Sequence, residues 1–430
     1  MKILHLFSNA KFTGPAELAL NLCVTLRSMG IEADLAFPAL PGTKQHTLLE
    51  TARDRGIEPL LQFRLKKHEN PITNFFDARA LRHFLLTHPY DIVHCHLDND
   101  HRIALAATRK LRRAVEDDRP PGGSASAPGI PVAGGRSSST AAVIPAARRR
   151  SSSAATGIPI VRTSYEGLGF PNFRRHARLL AGTAYLYQPS QRALEHDHET
   201  YGYPVESMQV VPGAVDVLRF DPNREVPDAR RWLGIPPDAF VAGIVARMQT
   251  HRRYEDFFTA IKSLNEHGID AHAIVVGRGT HQERVGKAPV RELALGDRVH
   301  FPGYVTGENY VGMLKAFDAK VFLVPGSDGT CRAVRESMAM GKPAVVSERG
   351  MLPEIVANGV DGFVTDGSPE SLVSALRTLA RDRALRKRMG QAARAKAVAT
   401  FSLEAQARGV VNGYEQVLNS MQRIRVPDSD

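Results

Sequence analysis

The sequence is poor in cysteine and tryptophan, with three cysteines and one tryptophan in 430 residues. Cys23, Cys95 and Cys331 are odd in number and show no CxxC or cysteine–histidine spacing, which argues against a disulfide framework and a zinc site. The sequence also lacks an apolar run of roughly 18 to 20 residues, the length that crosses a bilayer, and its opening lacks the features of a signal peptide. We therefore expect a cytoplasmic protein that is not integral to a membrane.

Acidic residues are too few to balance the basic ones, and the net charge is +11. An excess of positive charge predicts anionic partners: nucleic acid, an acidic membrane face or a phosphorylated substrate. No helix-turn-helix, RNA-recognition or zinc-finger pattern accompanies the charge, so we expect no nucleic acid partner. Two basic clusters predict a peripheral, electrostatic contact with the inner face of the membrane. They are Arg64, Lys66 and Lys67, and Arg174, Arg175 and Arg178.

Short apolar runs alternate with helical patterns along most of the chain, which is typical of parallel sheets covered by helices on both faces. The same alternation occurs on either side of about residue 222. This predicts an α/β protein with two doubly wound, Rossmann-like domains, residues 1–222 and 223–400, which face a cleft. We expect ligands at the carboxyl ends of the strands along that cleft.

The composition changes abruptly between residues 114 and 157. Alanine, glycine, serine and proline supply 29 of these 44 residues, whereas leucine, phenylalanine, tyrosine and tryptophan are absent. Such a segment cannot bury enough apolar area to offset the entropy lost when its backbone is ordered. The sequence therefore predicts a disordered insertion within the first domain.

The segment from residue 321 to Glu336 has the pattern of a strand, a glycine-bearing loop and a helix, with Thr330 as the N-cap. Backbone N–H groups near Thr330 and Cys331 would then be unpaired and would suit a phosphate. Asp328 precedes the helix and Glu336 lies within it, so both carboxylates are candidate acceptors for sugar or ribose hydroxyls. On the pattern alone, a loop aspartate and a solvated helix glutamate fit equally well.

Two arginines follow the strand predicted at residues 241–246. Arg247 lies at its carboxyl end and Arg252 lies five residues further on, in the next loop. Two guanidinium groups at such a position suit a diphosphate. The alternative is a solvated basic loop.

His94 and His96 lie at another predicted strand end and project to the same side of it. A histidine pair spaced by one residue can ligate a metal, but no further ligand cluster is evident, and buried structural histidines are common. We favour one of the two at the cleft. The following Asp98-Asn99-Asp100 resembles a metal-binding DxD motif, which is too short to be specific.

A dinucleotide site has little support. The loop from Ser8 to Gly14 contains one glycine, and Gly277-Arg278-Gly279 is followed by Gln282 where the third glycine of the fingerprint would stand. We therefore expect no nicotinamide cofactor.

Together these segments resemble retaining, GT-B-fold members of glycosyltransferase family 4, over nearly the whole chain except the insertion. The two acids of that family, spaced by seven residues, align with Asp328 and Glu336, and its arginine–lysine pair aligns with Arg247 and Arg252. The other matching positions are Gly14 in the N-terminal glycine loop, His96 as the second strand-end histidine, residues 212–216, and the segments 338–343 and 350–356. Residues 401–421 resemble the terminal helix of that fold, which crosses back to the N-terminal domain, with a frayed tail to residue 430.

The resemblance implies a nucleotide-sugar donor held mainly by the C-terminal domain and a glycan or glycolipid acceptor on the N-terminal domain. It implies neither a cofactor nor a metal ion. Arg247 and Arg252 would bind the diphosphate, and Glu336 the ribose. Asp328 would bind sugar hydroxyls, and His96 would contact the transferred sugar near the reacting centre.

Two departures from the family pattern leave the donor open: Asp328 replaces a glutamate and Arg252 replaces a lysine. The expected function is a retaining glycosyltransferase of cell-envelope polysaccharide or lipopolysaccharide synthesis. The alternatives are another GT-B enzyme, such as a nucleotide-sugar epimerase, and a sugar-nucleotide-binding protein that has lost transfer.

Overall fold

The computed structural model describes residues 1–39, 46–117, 157–326, 329 and 331–425. Most of the predicted insertion therefore lies outside the described residues. Its first four positions, 114–117, are helical and continue the preceding helix, so the insertion begins later than the composition predicts.

The first sheet has six parallel strands in the order β2-β1-β3-β4-β5-β6. Its strands are β1 (Lys2–Leu6), β2 (Glu32–Ala36), β3 (Ile92–Cys95), β4 (Ile160–Thr163), β5 (Tyr185–Gln188) and β6 (Met208–Val210). Strand β1 pairs with β2 and β3 in register, with His5 opposite Leu35 on one side and His94 on the other. Strands β1 and β3 are almost completely buried, which explains their continuous apolar character.

Six helices of the described residues before 202 cover the two faces of this sheet. They are α1 (Gly14–Ser28), α2 (Thr47–Asp54), α3 (Pro71–Thr87), α4 (Asp98–Asp117), α5 (Arg174–Leu180) and α6 (Gln191–Tyr201), with a 3₁₀ turn at Val205–Ser207. Helix α3 begins where the Asn70 side chain accepts a hydrogen bond from the Thr73 N–H group, with Pro71 in the first turn. Helix α6 ends at Gly202, whose φ of 61° is left-handed.

The second sheet repeats the arrangement with the order β12-β11-β10-β7-β8-β9, again all parallel. Its strands are β7 (Phe240–Val245), β8 (Ala271–Val276), β9 (Val299–Gly303), β10 (Ala319–Phe322), β11 (Ala344–Ser347) and β12 (Gly362–Thr365). The prediction of an α/β fold with two doubly wound sheets is thus confirmed.

Within the described part of the C-terminal half, eight helices flank the second sheet. They are α7 (Ala229–Leu233), α8 (Tyr254–Glu266), α9 (Ala288–Glu292), α10 (Gly307–Ala316), α11 (Arg332–Ala339), α12 (Leu352–Ile355), α13 (Pro369–Arg381) and α14 (Arg383–Thr400), with a 3₁₀ turn at Thr250–Arg252 and a π-helical turn at Glu283–Lys287. Two buried apolar clusters, one on each face, form the core of this half of the chain.

The last helix, α15 (Leu403–Arg425), returns to the first sheet. Its side chains Ala407, Val410, Tyr414 and Val417 are buried in the same cluster as the strands and helix α1 of the N-terminal half. The predicted crossover helix is therefore present, although the domain boundaries at residues 222 and 400 stay predictions. Among the helices of the described segments, none combines the length and apolar character needed to span a bilayer.

Candidate functional site

The predicted site residues follow the carboxyl ends of strands in both sheets. Gly14 comes after β1, His96 after β3, Arg247 after β7 and Cys331 after β10. Since parallel strands present all their carboxyl ends at one edge, each sheet gathers its candidates on one side. An ion pair between helix α1 of the first half and helix α11 of the second shows that the two edges meet.

Glu336 is almost completely buried, with 2% of its surface exposed. One of its carboxylate oxygens accepts a hydrogen bond from the Arg332 Nε–H group at 2.7 Å, and the other accepts one from the Tyr310 hydroxyl at 2.5 Å. The alternative of a solvated helix glutamate is therefore wrong. Each carboxylate oxygen has two lone pairs, so Glu336 keeps capacity to accept a further hydroxyl.

Arg332 links this carboxylate to the other half of the molecule. Its two terminal nitrogens pair with the Glu17 carboxylate, one of them at 3.2 Å. Burial would raise the pKa of Glu17, but the hydrogen bond and charge of Arg332 outweigh it and lower that pKa. Burial and the charge of Glu336 together raise the pKa of Tyr310, which keeps its hydroxyl protonated as a donor.

Lys320 lies inside the second half on strand β10, with no exposed surface. Its ammonium group donates to the carbonyl of Val321 at 3.1 Å. Burial lowers the pKa of Lys320 to about 7; the charge of Glu336 opposes that shift and the charge of Arg252 adds to it. The charges of both predicted donor-binding residues thus act on this buried lysine.

The two arginines predicted to bind diphosphate differ in exposure. Arg247 is exposed just after β7, and Arg252 is half-buried in the 3₁₀ turn, with its guanidinium 5.9 Å from the centre of the Phe322 ring. The Nε atom of Arg252 is buried without a hydrogen-bond partner among the described residues. A buried, unpaired guanidinium nitrogen is costly unless a ligand accepts from it.

Helix α11 begins at Arg332, with Cys331 as the N-cap, one residue later than the sequence predicts. The predicted N-cap Thr330 and the first acid Asp328 lie outside the described residues. The Cys331 side chain is completely buried, and a Cβ atom at Gly326 would lie 2.0 Å from its sulfur. Cys331 can therefore offer a ligand its backbone only.

Gly14 is the first residue of helix α1, three residues before Glu17. A Cβ atom placed at Gly14 would meet no described heavy atom within 4 Å. The space beside the start of this helix is thus open toward the Glu17–Arg332 pair.

The structure agrees with the predicted orientation of the two strand-end histidines and also shows that they are buried. His94 and His96 do project to the same side of β3, with parallel rings 4.6 Å apart, but both are completely buried. His96 has hydrogen-bond partners at both ring nitrogens, and burial lowers its pKa well below the usual value. The described conformation of His96 therefore offers a neutral ring inside the cleft wall, and its contact with a sugar stays a prediction.

His5 joins this pair, and the three histidines form a group with metal-ligand spacing: one ligand atom of each lies within 4.8 Å of the others. Every ring nitrogen in the group already has a protein partner. The hydrogen bonds explain this cluster without an ion.

The DxD interpretation is not supported by the structure. Asp100 is completely buried and accepts hydrogen bonds from the N–H groups of Ser8 and Leu97. Asp98 accepts from Arg162 and His176. Both carboxylates thus hold loops and helix α4 in place.

The glycines of the weak dinucleotide pattern also have a structural role. A Cβ atom at Gly277 would lie 2.1 Å from the carbonyl oxygen of Ala246, and one at Gly279 would lie 2.0 Å from that of Met248. These glycines let the loop after β8 pack directly on the segment that carries Arg247.

Four residues of this region were missed by the sequence reasoning: Glu17, Tyr310, Lys320 and Arg332. The spacing of four residues between Arg332 and Glu336 was a readable signal for a pair on one helix face. Glu17 and Tyr310 come from distant segments, so only the tertiary structure brings them to Glu336.

Comparison with known proteins agrees with the C-terminal half of this description. Residues 225–396 match the family described as glycosyl transferases group 1. This match covers less than half of the chain, so the similarity to the family applies to residues 225–396. A curated relative, the D-inositol 3-phosphate glycosyltransferase of Corynebacterium jeikeium, is 31% identical over 229 residues, which are 51% of this chain and 54% of that protein. The chain thus spans about half the length of the curated relatives it matches.

Solved structures extend the similarity of the fold to the whole chain. A glycosyltransferase from Rickettsia africae has a TM-score of 0.73 at 16% identity, with 97% of this chain and 98% of that one covered. Anabaena HepE in complex with UDP has a TM-score of 0.69 at 17% identity, with 96% and 100% covered. The residues that match the glycosyl transferases group 1 family thus lie in the second half of a GT-B fold.

Proposed function

We propose that the chain is a retaining glycosyltransferase of family 4 type that moves a sugar from a nucleoside-diphosphate sugar to a glycan or glycolipid acceptor. The observation that carries this proposal is the buried Nε atom of Arg252, which has no hydrogen-bond partner among the described residues. The charges of Arg252 and of the buried Glu336 both act on the buried Lys320. A diphosphate would accept from Arg252, and a ribose would donate to Glu336. The UDP bound to HepE supports a nucleotide at this kind of fold.

The departing diphosphate requires positive charge because negative charge develops on it as the glycosidic bond breaks. Arg247 and Arg252 supply that charge, and backbone N–H groups at the start of α11 add to it. Asp328 is proposed to hold sugar hydroxyls, and His96 to support the reacting centre from the N-terminal wall. Retention would follow from attack on the same face as departure, with no metal ion among the groups invoked.

A phosphorylated or lipid-linked acceptor suits the N-terminal half. The Corynebacterium relative is a D-inositol 3-phosphate glycosyltransferase, and we propose a related anionic acceptor here. The predicted peripheral contact with an anionic membrane also gains support from helix α3. Its exposed apolar side chains include Ile72 and Phe75, which are 71% and 62% exposed.

Basic groups surround this apolar surface. A cavity of about 310 Å³ between α3 and α4 is lined by Phe75, Ala78 and Ile103 together with Arg79 and Arg82. The guanidinium of Arg64, a member of the first predicted basic cluster, lies 5.9 Å from the Phe76 ring. Apolar side chains next to arginines favour the interface of an anionic bilayer, where cell-envelope glycolipids are assembled.

Donor binding is tested first by thermal shift with UDP, GDP and ADP and with their sugar conjugates. A ligand that binds only the folded state raises Tm, so the cognate nucleotide should give the largest shift. Product analysis with that donor then separates the alternatives: a new glycoside supports transfer, an epimerised donor supports an epimerase, and binding without turnover supports a silent binding protein.

Membrane association is tested by sedimentation with phosphatidylcholine vesicles and with vesicles that contain phosphatidylglycerol. We expect binding to the anionic vesicles alone, weakened above about 0.15 M salt, where the Debye length is about 8 Å. Replacement of Arg79 and Arg82 by glutamine should reduce this binding. Equal binding to both vesicle types, unaffected by salt, would contradict it.

A further inference from the structure

Two charged contacts join the N-terminal half of the molecule to the C-terminal half across the cleft. The first is the ion pair of Glu17 on α1 with Arg332 on α11. The second is made by Glu354 on α12, whose carboxylate accepts hydrogen bonds from the N–H groups of Gln191 at 2.5 Å and Arg192 at 3.1 Å. These are the first two residues of helix α6 in the N-terminal half. The second contact is therefore a helix cap supplied by the other half of the chain.

Helix α6 is capped from both halves. The first N–H groups of an α-helix have no acceptor within the helix. The N-cap residue Ser190 accepts, at its hydroxyl oxygen, from the N–H group of Ala193 at 3.1 Å. Glu354 accepts from the two N–H groups before that one, and its negative charge interacts favourably with the positive end of the helix dipole. Loss of Glu354 would thus leave two N–H groups to solvent, while the cap within the N-terminal half remains.

Glu354 is held in place by its own half. Its carbonyl oxygen accepts a hydrogen bond from the ammonium group of Lys396 on α14 at 3.4 Å. Lys396 also pairs with Asp361 at 3.5 Å, and the Asp361 carboxylate accepts from the N–H group of Ala357 at 2.8 Å. These bonds fix α12 and the turn that follows it to helix α14.

The segment that carries Glu354 also packs against the start of the loop that leads to helix α11. A Cβ atom at Gly350, just before α12, would lie 2.9 Å from the nitrogen of Gly326 and 3.0 Å from its carbonyl oxygen. The two glycines also form a parallel bridge. Gly326 in turn contacts Cys331, the N-cap of α11. Residues 350–354 therefore touch the proposed donor-binding segment at one end and the N-terminal half at the other.

The two contacts between the halves lie on opposite faces of the first sheet. Helix α1 packs in the buried cluster that contains Tyr185 and Tyr187 of β5, whereas α6 packs with Leu186 of the same strand. Successive side chains of a strand point to opposite faces of the sheet. One contact alone would let the halves rotate about it, whereas two contacts on opposite faces, together with the crossover helix, define their relative orientation.

The two contacts differ in exposure. The side chains of Glu17 and Arg332 are only 13% and 27% exposed. Glu354 is exposed, as are the two residues that it caps. The interaction of an exposed charge with a helix dipole is weak and is screened by salt. The Glu354 cap is therefore the contact that breaks and re-forms at the smaller cost.

We propose that Glu354 is a positioning residue that aligns the acceptor wall of the cleft with the donor-binding segment, because it caps helix α6 from the other half. This rests on the proposed transferase function. Glu354 acts through α6, which begins just after the carboxyl end of β5. The role differs from ordinary helix capping because Ser190 already supplies a cap within the N-terminal half. Glu354 adds a defined separation between the two walls.

The test compares Glu354→Ala with two controls. Glu370→Ala removes the same charge from an exposed glutamate in the first turn of α13, a helix of its own half. Ser190→Ala weakens the cap of α6 from within the N-terminal half. Glu354→Gln keeps an acceptor oxygen without the charge and should give an intermediate result.

Backbone amide exchange, measured residue by residue, reports the cap without any substrate. In Glu354→Ala, the N–H groups of Gln191 and Arg192 should exchange roughly fivefold faster, the effect of a lost cap. The control that removes the other glutamate should leave their exchange unchanged. The serine variant should instead speed the exchange of Ala193.

The separation of the walls is measured between spin labels on Glu199→Cys in α6 and Lys387→Cys in α14, two exposed positions. The three native cysteines are buried, so the introduced thiols are labelled selectively. We expect one narrow distance distribution in the otherwise unchanged protein and in Glu370→Ala, and a broader one in Glu354→Ala.

Kinetics measure the consequence of this alignment for transfer. With UDP-glucose or GDP-mannose as donor, Glu354→Ala should lower kcat roughly tenfold, because misplaced reactants reach the reactive geometry less often. The KM for the donor should not change, since the proposed donor contacts lie in the C-terminal half.

Unchanged exchange at Gln191 and Arg192 and an unchanged distance distribution in Glu354→Ala would overturn the proposal. A loss of kcat that is equal in Glu354→Ala and Ser190→Ala would also overturn it, since the stability of α6 and not the link would then be responsible. If the wild type turns over neither donor while exchange and distances change as expected, the link between the halves stands and the assignment as a transferase of these donors fails.

Discussion

The two walls of the cleft use burial in opposite ways. On the N-terminal wall, the histidines are neutral and every ring nitrogen has a protein partner. On the C-terminal wall, Glu336, Arg332 and Lys320 carry or share charge, and Arg252 retains a buried nitrogen without a described partner. A neutral cluster whose hydrogen-bonding atoms all have partners can fix the positions of its side chains, but it has few atoms left to bind a ligand. A charged nitrogen without a partner can bind one. The difference suggests positioning on one wall and donor binding on the other.

The largest expected effect separates the two walls by kinetics. His96→Ala should lower kcat roughly a hundredfold with nucleotide affinity nearly unchanged, because its proposed contribution belongs to the transition state. Asp328→Asn, assigned to the sugar, should behave in the same way. Glu336→Gln should chiefly raise KM for the donor, because a ribose contact is equal in the ground and transition states.

Initial-rate kinetics and calorimetry with the nucleoside diphosphate on the same proteins measure both quantities. The proposed difference between the two walls is contradicted if His96→Ala retains full kcat, or if this variant weakens nucleotide binding as strongly as Glu336→Gln does. Abolished nucleotide binding in Asp328→Asn would instead assign that loop to the phosphates.

The next largest effect is on nucleotide binding and concerns Arg252. Arg252→Ala should weaken binding of the nucleoside diphosphate by about 1.5 to 3 kcal/mol, the contribution of a charge-assisted hydrogen bond. Affinity for the nucleoside without phosphates should not change. The control is Arg291→Ala, which removes the same charge from an exposed arginine of the same half that pairs with Glu283. If both variants weaken nucleoside diphosphate binding equally, Arg252 acts only through the net charge of the protein.

The smallest effect is on stability and comes from Lys320. Its folded pKa of about 7 lies below the usual 10.5, so between these values the unfolded chain binds a proton that the folded protein does not. Stability should therefore rise as the pH increases from about 7 to 10.5, and the cost of the buried lysine is fully present below pH 7. Lys320→Met should remove this cost, so the stability it gains should be largest at pH 6 and nearly absent at pH 10.5.

Denaturant unfolding of both proteins at pH 6 and at pH 10 measures this difference. The same gain in stability at both values would mean that methionine acts by packing alone and that Lys320 does not titrate in the folded protein.

The sequence predicts the alternation of strands and helices well because buried parallel strands are short apolar runs, and ten of the twelve strands have that character. Strand β5 (Tyr185–Gln188) differs because its two tyrosines and a glutamine do not form such a run. In the fold, the Tyr187 hydroxyl donates to the Val410 carbonyl on the crossover helix. Strand β12 (Gly362–Thr365) also differs, because four residues that begin with a glycine give little periodicity.

The sequence predicts residues of the candidate site but not the contacts between them. Arg252 and Glu336 follow from local patterns and from the family resemblance. That Glu336 is held by Tyr310, and that Arg332 reaches Glu17 across 315 positions of the chain, cannot be read from local spacing. The burial of His96 was likewise not predictable, because its partner His5 comes from strand β1 and its partner Tyr165 from the loop after strand β4.

The path of the chain around helix α4 has a practical consequence. Helix α4 starts at the carboxyl edge of the first sheet and ends at Asp117 near the opposite edge, where β4 also begins, at Ile160. The described backbone therefore leaves and re-enters the fold on the side away from the cleft. A fluorescent label or an affinity tag attached at Asp117 or at Ile160 would be anchored on that side, away from the strand ends that carry the candidate site residues, which makes these positions suitable handles for single-molecule or surface-capture measurements on the intact protein.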